Sequence, residues 1–277
     1  MSLSTPVNIS LVTVGMNHLP LLKQFLKSVF YDSPPSISFE LIYVDNCSTD
    51  GSVDFIKLNY PDIKVIVNKK PFGFAYNNNL GVKSCNGEYI GIVNPDIVLL
   101  PGAIDKMYHF LLNNQNVGIV VPKLLNIDLT TQSSVRKFIT LKILINRILH
   151  NGNDDVDSFV TRDYLMKDFD SNRAQPIDWA LGAAMFFKRE WYEVLGGFDE
   201  GYFLYVEDVD ICLRSWKAGR AVIYFPDSVM IHAHQRSSSK GWNKKKKMHM
   251  KSMVRYFLKH NILFNPPVSD NRKTIDG

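Results

Sequence analysis

Phe39-Glu-Leu-Ile-Tyr-Val-Asp-Asn-Cys-Ser-Thr-Asp-Gly-Ser52 is the stretch on which the fold turns. Its first six residues form a short apolar run with β-branched and aromatic members, the pattern of a buried strand. The next eight are polar turn formers that can cap a helix from about Val53. A strand that runs through a polar turn into a helix is half of a β-α-β unit.

The same grammar repeats outward from this stretch. Upstream, Ile9 to Val14 reads as a strand, and Leu22, Phe25, Leu26 and Val29 recur at helical spacing until Ser33-Pro-Pro35 breaks the helix. Downstream, Ile63–Val67 is a third strand, Phe72 to Gly81 opens a helical piece, and Tyr89 to Val93 is a fourth strand ending in Asn94-Pro-Asp96. Ile104, Met107, Tyr108, Leu111 and Leu112 mark a further helix, and Val117 to Val121 a further strand. Alternating strands and helices predict an α/β fold, a mostly parallel central sheet flanked by helices. In such sheets ligands bind beyond the carboxyl ends of the strands. Asp45-Asn-Cys-Ser48 and Asn94-Pro-Asp96 both fall there and define one polar rim.

No GxGxxG follows the first strand, which ends Val14-Gly-Met-Asn17, and no GxxxxGK[ST] occurs anywhere. Both absences argue against a Rossmann dehydrogenase and a P-loop NTPase. A bound nucleotide phosphate would need another partner. Asp96, at a strand end, can hold a divalent cation, Mg2+ or Mn2+, against a diphosphate.

A second stretch carries chemistry. Gly196-Gly-Phe-Asp-Glu-Gly-Tyr-Phe-Leu-Tyr-Val-Glu-Asp-Val-Asp210 packs five carboxylates among aromatic and aliphatic residues. Carboxylates beside apolar surface are costly to bury unless paired, metal-bound or used. Desolvation also raises their pKa, which suits general-base work. Val206, Val209, Leu213 and Trp216 recur at helical spacing, so Glu207, Asp208 and Asp210 fall in a first helical turn, where acids also complement the helix dipole.

Taken in order, the motifs form a series: Asp45–Ser52, Gly73-Phe-Ala-Tyr-Asn-Asn-Asn-Leu-Gly81, Val93-Asn-Pro-Asp96, Asp178-Trp-Ala-Leu-Gly-Ala-Ala184, Gly196-Gly-Phe-Asp-Glu200, Phe203 to Arg214, and a late His232. This series resembles the family 2 glycosyltransferases of GT-A fold, in particular their rhamnosyltransferase-like branch. The resemblance runs from about Ile9 to the C-terminal helix. It implies an inverting transfer of a sugar, with dTDP-rhamnose the leading donor, from a nucleotide diphosphate sugar to an acceptor hydroxyl. The setting it implies is cell-surface polysaccharide synthesis, O-antigen or capsule, on a saccharide or lipid-linked saccharide acceptor.

The resemblance also implies roles. Thr13, Asn17 and Asp45 lie on the nucleotide side, and Gly73 and Asn77 near the nucleotide sugar and donor. Asp96 matches the last acid of the metal-binding DxD motif, with Asn94 in place of the first. Glu207-Asp208 matches the catalytic acid pair, Asp208 as base and Glu207 as its support. His232, with His234 as the near alternative, completes metal or diphosphate binding, and Arg236 is a further cation near the leaving group. Trp179 is expected in a donor or acceptor wall, and Gly182 where backbone approaches ligand closely. Asp199, Glu200 and Asp210 are left structural roles such as capping or surface pairing.

The chemistry fits the residue types without a family name. A sugar hydroxyl is a poor nucleophile, a carboxylate can take its proton as it attacks, and direct displacement needs one base. The rival readings are a nucleotidyltransferase on a related sheet, disfavoured by the late acid pair, and a non-catalytic nucleotide- or sugar-binding protein, disfavoured by intact Asp45, Asp96 and Asp208.

The 277 residues suffice for one large domain. We expect a GT-A domain over 7–240, with 128–176 as an acceptor-side insertion or lid, a basic amphipathic helix over 241–264 and a loose tail over 265–277. Within the insertion, Leu141 to Leu149 suggests a helix and Asn151 to Asp155 a loop. The net charge of +5 owes much to Lys244-Lys-Lys-Lys247. Met250, Met253, Val254, Phe257 and Leu258 form an apolar stripe beside Lys251, Arg255 and Lys259. Such a helix can pack on the domain, and it can also make peripheral contact with an anionic membrane. Nucleic acid is not expected as a partner, since basic residues are not interleaved across the sheet. Three cysteines without CxxC spacing predict neither a disulfide framework nor a cysteine zinc site. With no signal-peptide pattern and no membrane-length apolar run, a cytoplasmic location is expected, peripheral at most at the inner face of the membrane.

Overall fold

The computed structural model describes residues 6–150, 153, 158–233 and 244–262. His234, Arg236 and the 265–277 tail lie outside the described residues, as does most of the 151–155 loop.

The first half alternates as expected. β1 (Ile9–Gly15), α1 (Leu19–Lys27), β2 (Phe39–Asp45), α2 (Ser52–Asn59), β3 (Lys64–Val67), α3 (Phe74–Val82) and β4 (Tyr89–Val93) follow in turn. A short β5 (Ile97–Leu99), α4 (Ala103–Asn113) and β6 (Val117–Leu125) come next. The middle holds β7 (Val135–Arg136), α5 (Leu141–Leu149), α6 (Phe159–Tyr164), β8 (Gln175–Pro176) and β9 (Trp179–Ala180). The last part holds β10 (Ala184–Lys188), α7 (Arg189–Val194), α8 (Glu207–Lys217), β11 (Ala221–His232) and α9 (Lys244–His260).

One sheet runs β3-β2-β1-β4-β10-β6-β11-β5, with β8 beside β11. The pairs β3-β2, β2-β1, β1-β4 and β6-β11 are parallel, while β10, β5 and β8 run against them. Six strands therefore share one direction, and their carboxyl ends share one edge. Because β10 is reversed, its amino end, just after Gly182, lies at that same edge.

Each face of the sheet has its own core. Leu22, Phe25 and Leu26 of α1 pack with Ile104, Met107 and Leu111 of α4 on one side. Val209, Cys212 and Leu213 of α8 join Met253 and Tyr256 of α9 on the other. Each such fully buried large side chain contributes about 1.5–3 kcal/mol. Gly91 in β4 is required by this packing, since a Cβ there would sit 2.5 Å from the Phe186 ring of β10.

β11 continues past Phe225 to His232. Pro226 signals a break, but a register shift between Phe225 and Val229 absorbs it and the ladder resumes. That continuation places His232 opposite Ile97 of β5, directly after Asp96.

The middle segment is stitched to the body at several points. β7 pairs with β9 and β8 with β11. Its helices start on true caps, Thr140 accepting from Ile143 N–H at 3.3 Å and Ser158 from Thr161 N–H at 3.1 Å. Cys47, Cys85 and Cys212 are free thiols. Among the described residues no helix is long and apolar enough to cross a membrane.

α9 corrects the expected stripe. Met253 and Tyr256 face the core, whereas Met250, Val254 and Leu258 are 47%, 53% and 78% exposed. The buried face is rotated because charge, as well as apolar surface, docks the helix. Arg255 and Lys259 both reach Asp199, at 2.9 and 2.7 Å. Lys259 and His260 both reach the fully buried Asp210 at 2.7 Å.

Candidate active site at the carboxyl edge of the sheet

The site is assembled from strand ends. Thr13 lies near the end of β1, Asp45 ends β2, Asn94 and Asp96 follow β4, Gly182 precedes β10, and His232 ends β11. Local contacts join the Asn94–Asp96 turn to the acid pair. The Asn94 N–H donates to the Ala183 carbonyl at 2.9 Å, and the neighbouring Gly182 N–H donates to Asp208 Oδ2 at 3.0 Å. The Asn94–Asp96 turn and Asp208 are thus tied to consecutive residues of one segment. A Cβ on Gly182 would lie 3.3 Å from the Asp208 Cβ, so the close approach made there is to Asp208.

Glu207 and Asp208 open α8 in a constrained backbone. Tyr205 and Val206 both have positive φ, 69° and 75°. That region is unfavourable for a β-branched residue and costs of order 1–3 kcal/mol. Val206 is buried and its carbonyl accepts from Asp210 N–H at 2.9 Å, which fixes the turn. Glu207 is 5% exposed, and its Oε2 is buried without a hydrogen-bond partner. Desolvation, then the adjacent Asp208 charge, pushes the Glu207 carboxyl well above the ordinary range. Desolvation likewise raises Asp208, with the Gly182 and Val209 N–H groups partly offsetting it. Two close carboxyls titrate as a pair, and the second proton is lost reluctantly.

Asp96 and His232 meet, with Oδ2 and Nε2 3.4 Å apart. Among the described residues no group of three or more metal-ligating side chains occurs. Two protein ligands nevertheless fit a divalent cation that draws its remaining oxygens from a diphosphate and water. Asp96 and His232 are the residues that would hold it.

The nucleotide-side residues divide. Thr13 Oγ1 is fully buried without a hydrogen-bond partner, so it is closed off from the rim's surface in this structure. Asn17, at φ 57°, braces the 45–52 turn, its Oδ1 accepting from Thr49 N–H at 2.8 Å. Asp45 is 1% exposed and accepts from Ser48 N–H at 3.0 Å and Tyr43 Oη at 3.2 Å, so it builds the same turn. Two expectations are corrected. Asn77 is 1% exposed, donates to the Gly73 carbonyl at 2.9 Å and accepts from Asn68 Nδ2 at 2.5 Å; it holds the loop before α3 and does not present its side chain at the surface of the rim. Trp179 is not an open wall. It is 6% exposed, and its indole N–H donates to the Lys137 carbonyl at 2.7 Å, tethering the middle segment. Gly73 packs against the Phe203 backbone, where a Cβ would clash. The Phe74 N–H donates to the Phe203 carbonyl at 3.1 Å, joining α3 to the acidic stretch.

Sequence reading missed Asn79. It is one of three consecutive Asn on α3 that face inward. Its Oδ1 accepts from Tyr192 Oη at 2.7 Å and Phe198 N–H at 2.9 Å, and its Nδ2 donates to the Phe198 carbonyl at 2.8 Å and Glu200 at 2.9 Å. It therefore pins the Gly196–Glu200 turn. The available signal was its place in an otherwise apolar helix, where a polar residue must find partners.

Comparison with known proteins agrees with this fold. The family model described as Glycosyl transferase family 2 matches residues 10–164. The match ends before the acid pair. N-acetylglucosaminyl-diphospho-decaprenol L-rhamnosyltransferase of Mycobacterium tuberculosis is 26% identical over 245 residues, covering 83% of this chain and 77% of its own length. Rhamnosyltransferase WbbL of Escherichia coli is 27% identical over 205 residues, covering 70% and 73%. Among solved structures, GalNAc-T7 with UDP, GalNAc and Mn2+ superposes with a TM-score of 0.66 at 15% identity, over 92% of this chain. This chain spans about half, 48%, of that one. The mannosyltransferase PcManGT from Pyrobaculum calidifontis, in complex with GDP-Man and Mn2+, gives 0.61 at 20% identity, over 95% of this chain and 67% of its own. The shared architecture is the expected GT-A fold.

Proposed function

This chain belongs to glycosyl transferase family 2, and from that premise we propose that it inverts the anomeric carbon of a nucleotide diphosphate sugar, with Asp208 as base. The observation that carries the proposal is the Asp208 carboxylate. It is held by the Gly182 N–H at 3.0 Å, beside the segment that anchors Asn94, at the ligand-binding edge of the sheet. An acceptor hydroxyl at this rim gives its proton to Asp208 while its oxygen bonds the anomeric carbon. The bond from that carbon to the diphosphate oxygen breaks on the opposite face, so configuration inverts and the diphosphate leaves with the electron pair. A raised pKa makes Asp208 a stronger base than a solvated carboxylate. Glu207 keeps the turn in register and disfavours a second negative charge. A divalent cation between Asp96, His232 and the diphosphate would neutralise the charge that develops on the leaving group.

The donor we propose is dTDP-rhamnose, and the acceptor a lipid-linked saccharide in cell-surface polysaccharide synthesis. The supports are the rhamnosyltransferase relatives and the decaprenol-linked acceptor in the name of one of them. We also propose peripheral contact with an anionic membrane at its cytoplasmic face. α9 carries no acid, and the pairing of Arg255 and Lys259 with Asp199 leaves Lys247 and Lys251 exposed beside Met250, Val254 and Leu258. Vesicles containing phosphatidylglycerol should float the protein. The Met250→Ser, Val254→Ser, Leu258→Ser variant should stay behind, and equal flotation of both would remove this contact.

Asp208→Asn should leave donor affinity within about twofold and lower transfer by about 10²–10⁴. Turnover near wild type would exclude Asp208 as the base.

A further inference from the structure

We infer that Gln132 is a positioning residue that fixes the protonation of His232, through a one-way hydrogen-bond chain that begins at Asp128. His232 Nδ1 lies 2.7 Å from Gln132 Oε1. An imidazole nitrogen and an amide can meet in two orientations, so the contact alone does not say which nitrogen carries the proton. The residues behind Gln132 decide it.

Gln132 Nε2 donates to Asn126 Oδ1 at 2.9 Å, so Gln132 must present its oxygen to His232. Asn126 Nδ2 donates to Thr130 Oγ1 at 2.9 Å, which fixes Asn126 in the same sense. The Thr130 hydroxyl is spent as a donor on Asp128 Oδ1 at 2.6 Å and can only accept from Asn126. Asp128 ends the chain, and hydrogen bonds from the Thr130 side chain and backbone hold its carboxyl below the ordinary range. An ionised carboxylate only accepts, so every donor in the series points toward Asp128. The backbone holds the series in place. Asn126 N–H donates to the Thr130 carbonyl and Gln132 N–H to the Leu124 carbonyl, both at 2.8 Å.

The consequence falls on the site. Facing an acceptor-only oxygen, Nδ1 carries a proton in every state of His232. Neutral His232 then has its lone pair on Nε2, the nitrogen that faces Asp96 at 3.4 Å. That is the state a metal ligand requires, and a partner on the far nitrogen is what orients a ligating His and raises its basicity. The cation itself rests on the transferase reading; the tautomer does not.

The experiment reads the two separately. Nitrogen-15 NMR of His232, assigned with His232→Gln, should show the Nδ1–H tautomer in the neutral wild-type ring without metal. Gln132→Leu should lose that preference and Gln132→Glu should keep it. Manganese titration followed by electron paramagnetic resonance should show affinity falling at least about tenfold in Gln132→Leu and retained in Gln132→Glu. An Nε2–H tautomer in the wild type overturns the inference, as does a Gln132→Leu variant with unchanged tautomer and affinity. A wild type that shows the Nδ1–H tautomer but binds no manganese keeps the inference and sinks the metal reading.

Discussion

Glu207 and Asp208 sit side by side in the chain but face different surroundings. Asp208 has two N–H partners, whereas Glu207 has a buried oxygen with none. An ionised Glu207 is therefore a cost to the fold, and its neutral isostere removes that cost. Glu207→Gln should raise stability by roughly 1–3 kcal/mol at neutral pH, read by urea denaturation. It should also move the acidic limb of the rate profile down, because Asp208 loses a like-charged neighbour. In the wild type both carboxyls are raised, so kcat/KM should fall with decreasing pH from a point above the ordinary carboxylate range. An acidic limb at the pKa of a solvated carboxylate would contradict this environment. The acid pair itself was legible in the sequence as acids at the start of a helix. The positive φ of Tyr205 and Val206 was not, because no local preference predicts a β-branched residue in that region.

The docking of α9 shows how charge can decide the face an element buries. Its apolar residues alone suggest one stripe, and that stripe includes Leu258, which is 78% exposed. The deciding partners, Asp199 and Asp210, lie some fifty residues earlier and were assigned only capping or surface pairing. Asp210 is in fact fully buried, bonded to Arg214 Nε and to Lys259 and His260, all at 2.7 Å. Breaking one side of a buried charge cluster leaves the other unpaired, so Asp210→Ala should cost about 3–5 kcal/mol in urea unfolding. Arg255→Ala, removing a cation that is 44% exposed, should cost under about 1 kcal/mol. Equal losses would mean that α9 is held by apolar contact alone. β1, β2 and β4 were legible because their burial is nearly continuous, and β3, only partly buried, because its run is β-branched. β5 and the second half of β11 were not, since three residues are too few for a pattern and Pro226 imitates a terminator.

At the scale of the molecule, one sheet edge collects residues from Thr13 to His232, and the two signs of carboxyl perturbation oppose each other there. Burial raises Asp210, but the His260 hydrogen bond and the Arg214 and Lys259 charges more than offset it, and its carboxyl lies below the ordinary range. Asp199 is lowered in the same way, Lys259, Gly201 and Arg255 outweighing its burial. Groups with depressed folded values give stability that is present above the unfolded carboxylate pKa, about 3.9, and lost as pH falls through the folded value. Thermal unfolding should therefore show a steep loss in acid that Asp210→Asn lacks, and parallel curves would contradict the assignment. The raised pair at Glu207 and Asp208 has the opposite sign and subtracts stability as pH rises from the unfolded carboxylate value through the folded ones. The polar rim was legible as strand ends rich in Asp and Asn. The division of that rim into turn-building residues, such as Asn77, and residues left without a turn partner, such as Thr13, depends on long-range packing that spacing does not encode. Sugar transfer at this edge is read by release of nucleotide diphosphate. Purified protein is incubated with a panel of nucleotide diphosphate sugars, with and without Mg2+ or Mn2+ and with a lipid-linked saccharide acceptor. We predict acceptor-dependent release from one donor, dTDP-rhamnose, strengthened by the cation and abolished in Asp208→Asn; no release from any donor under these conditions would exclude sugar transfer at this edge.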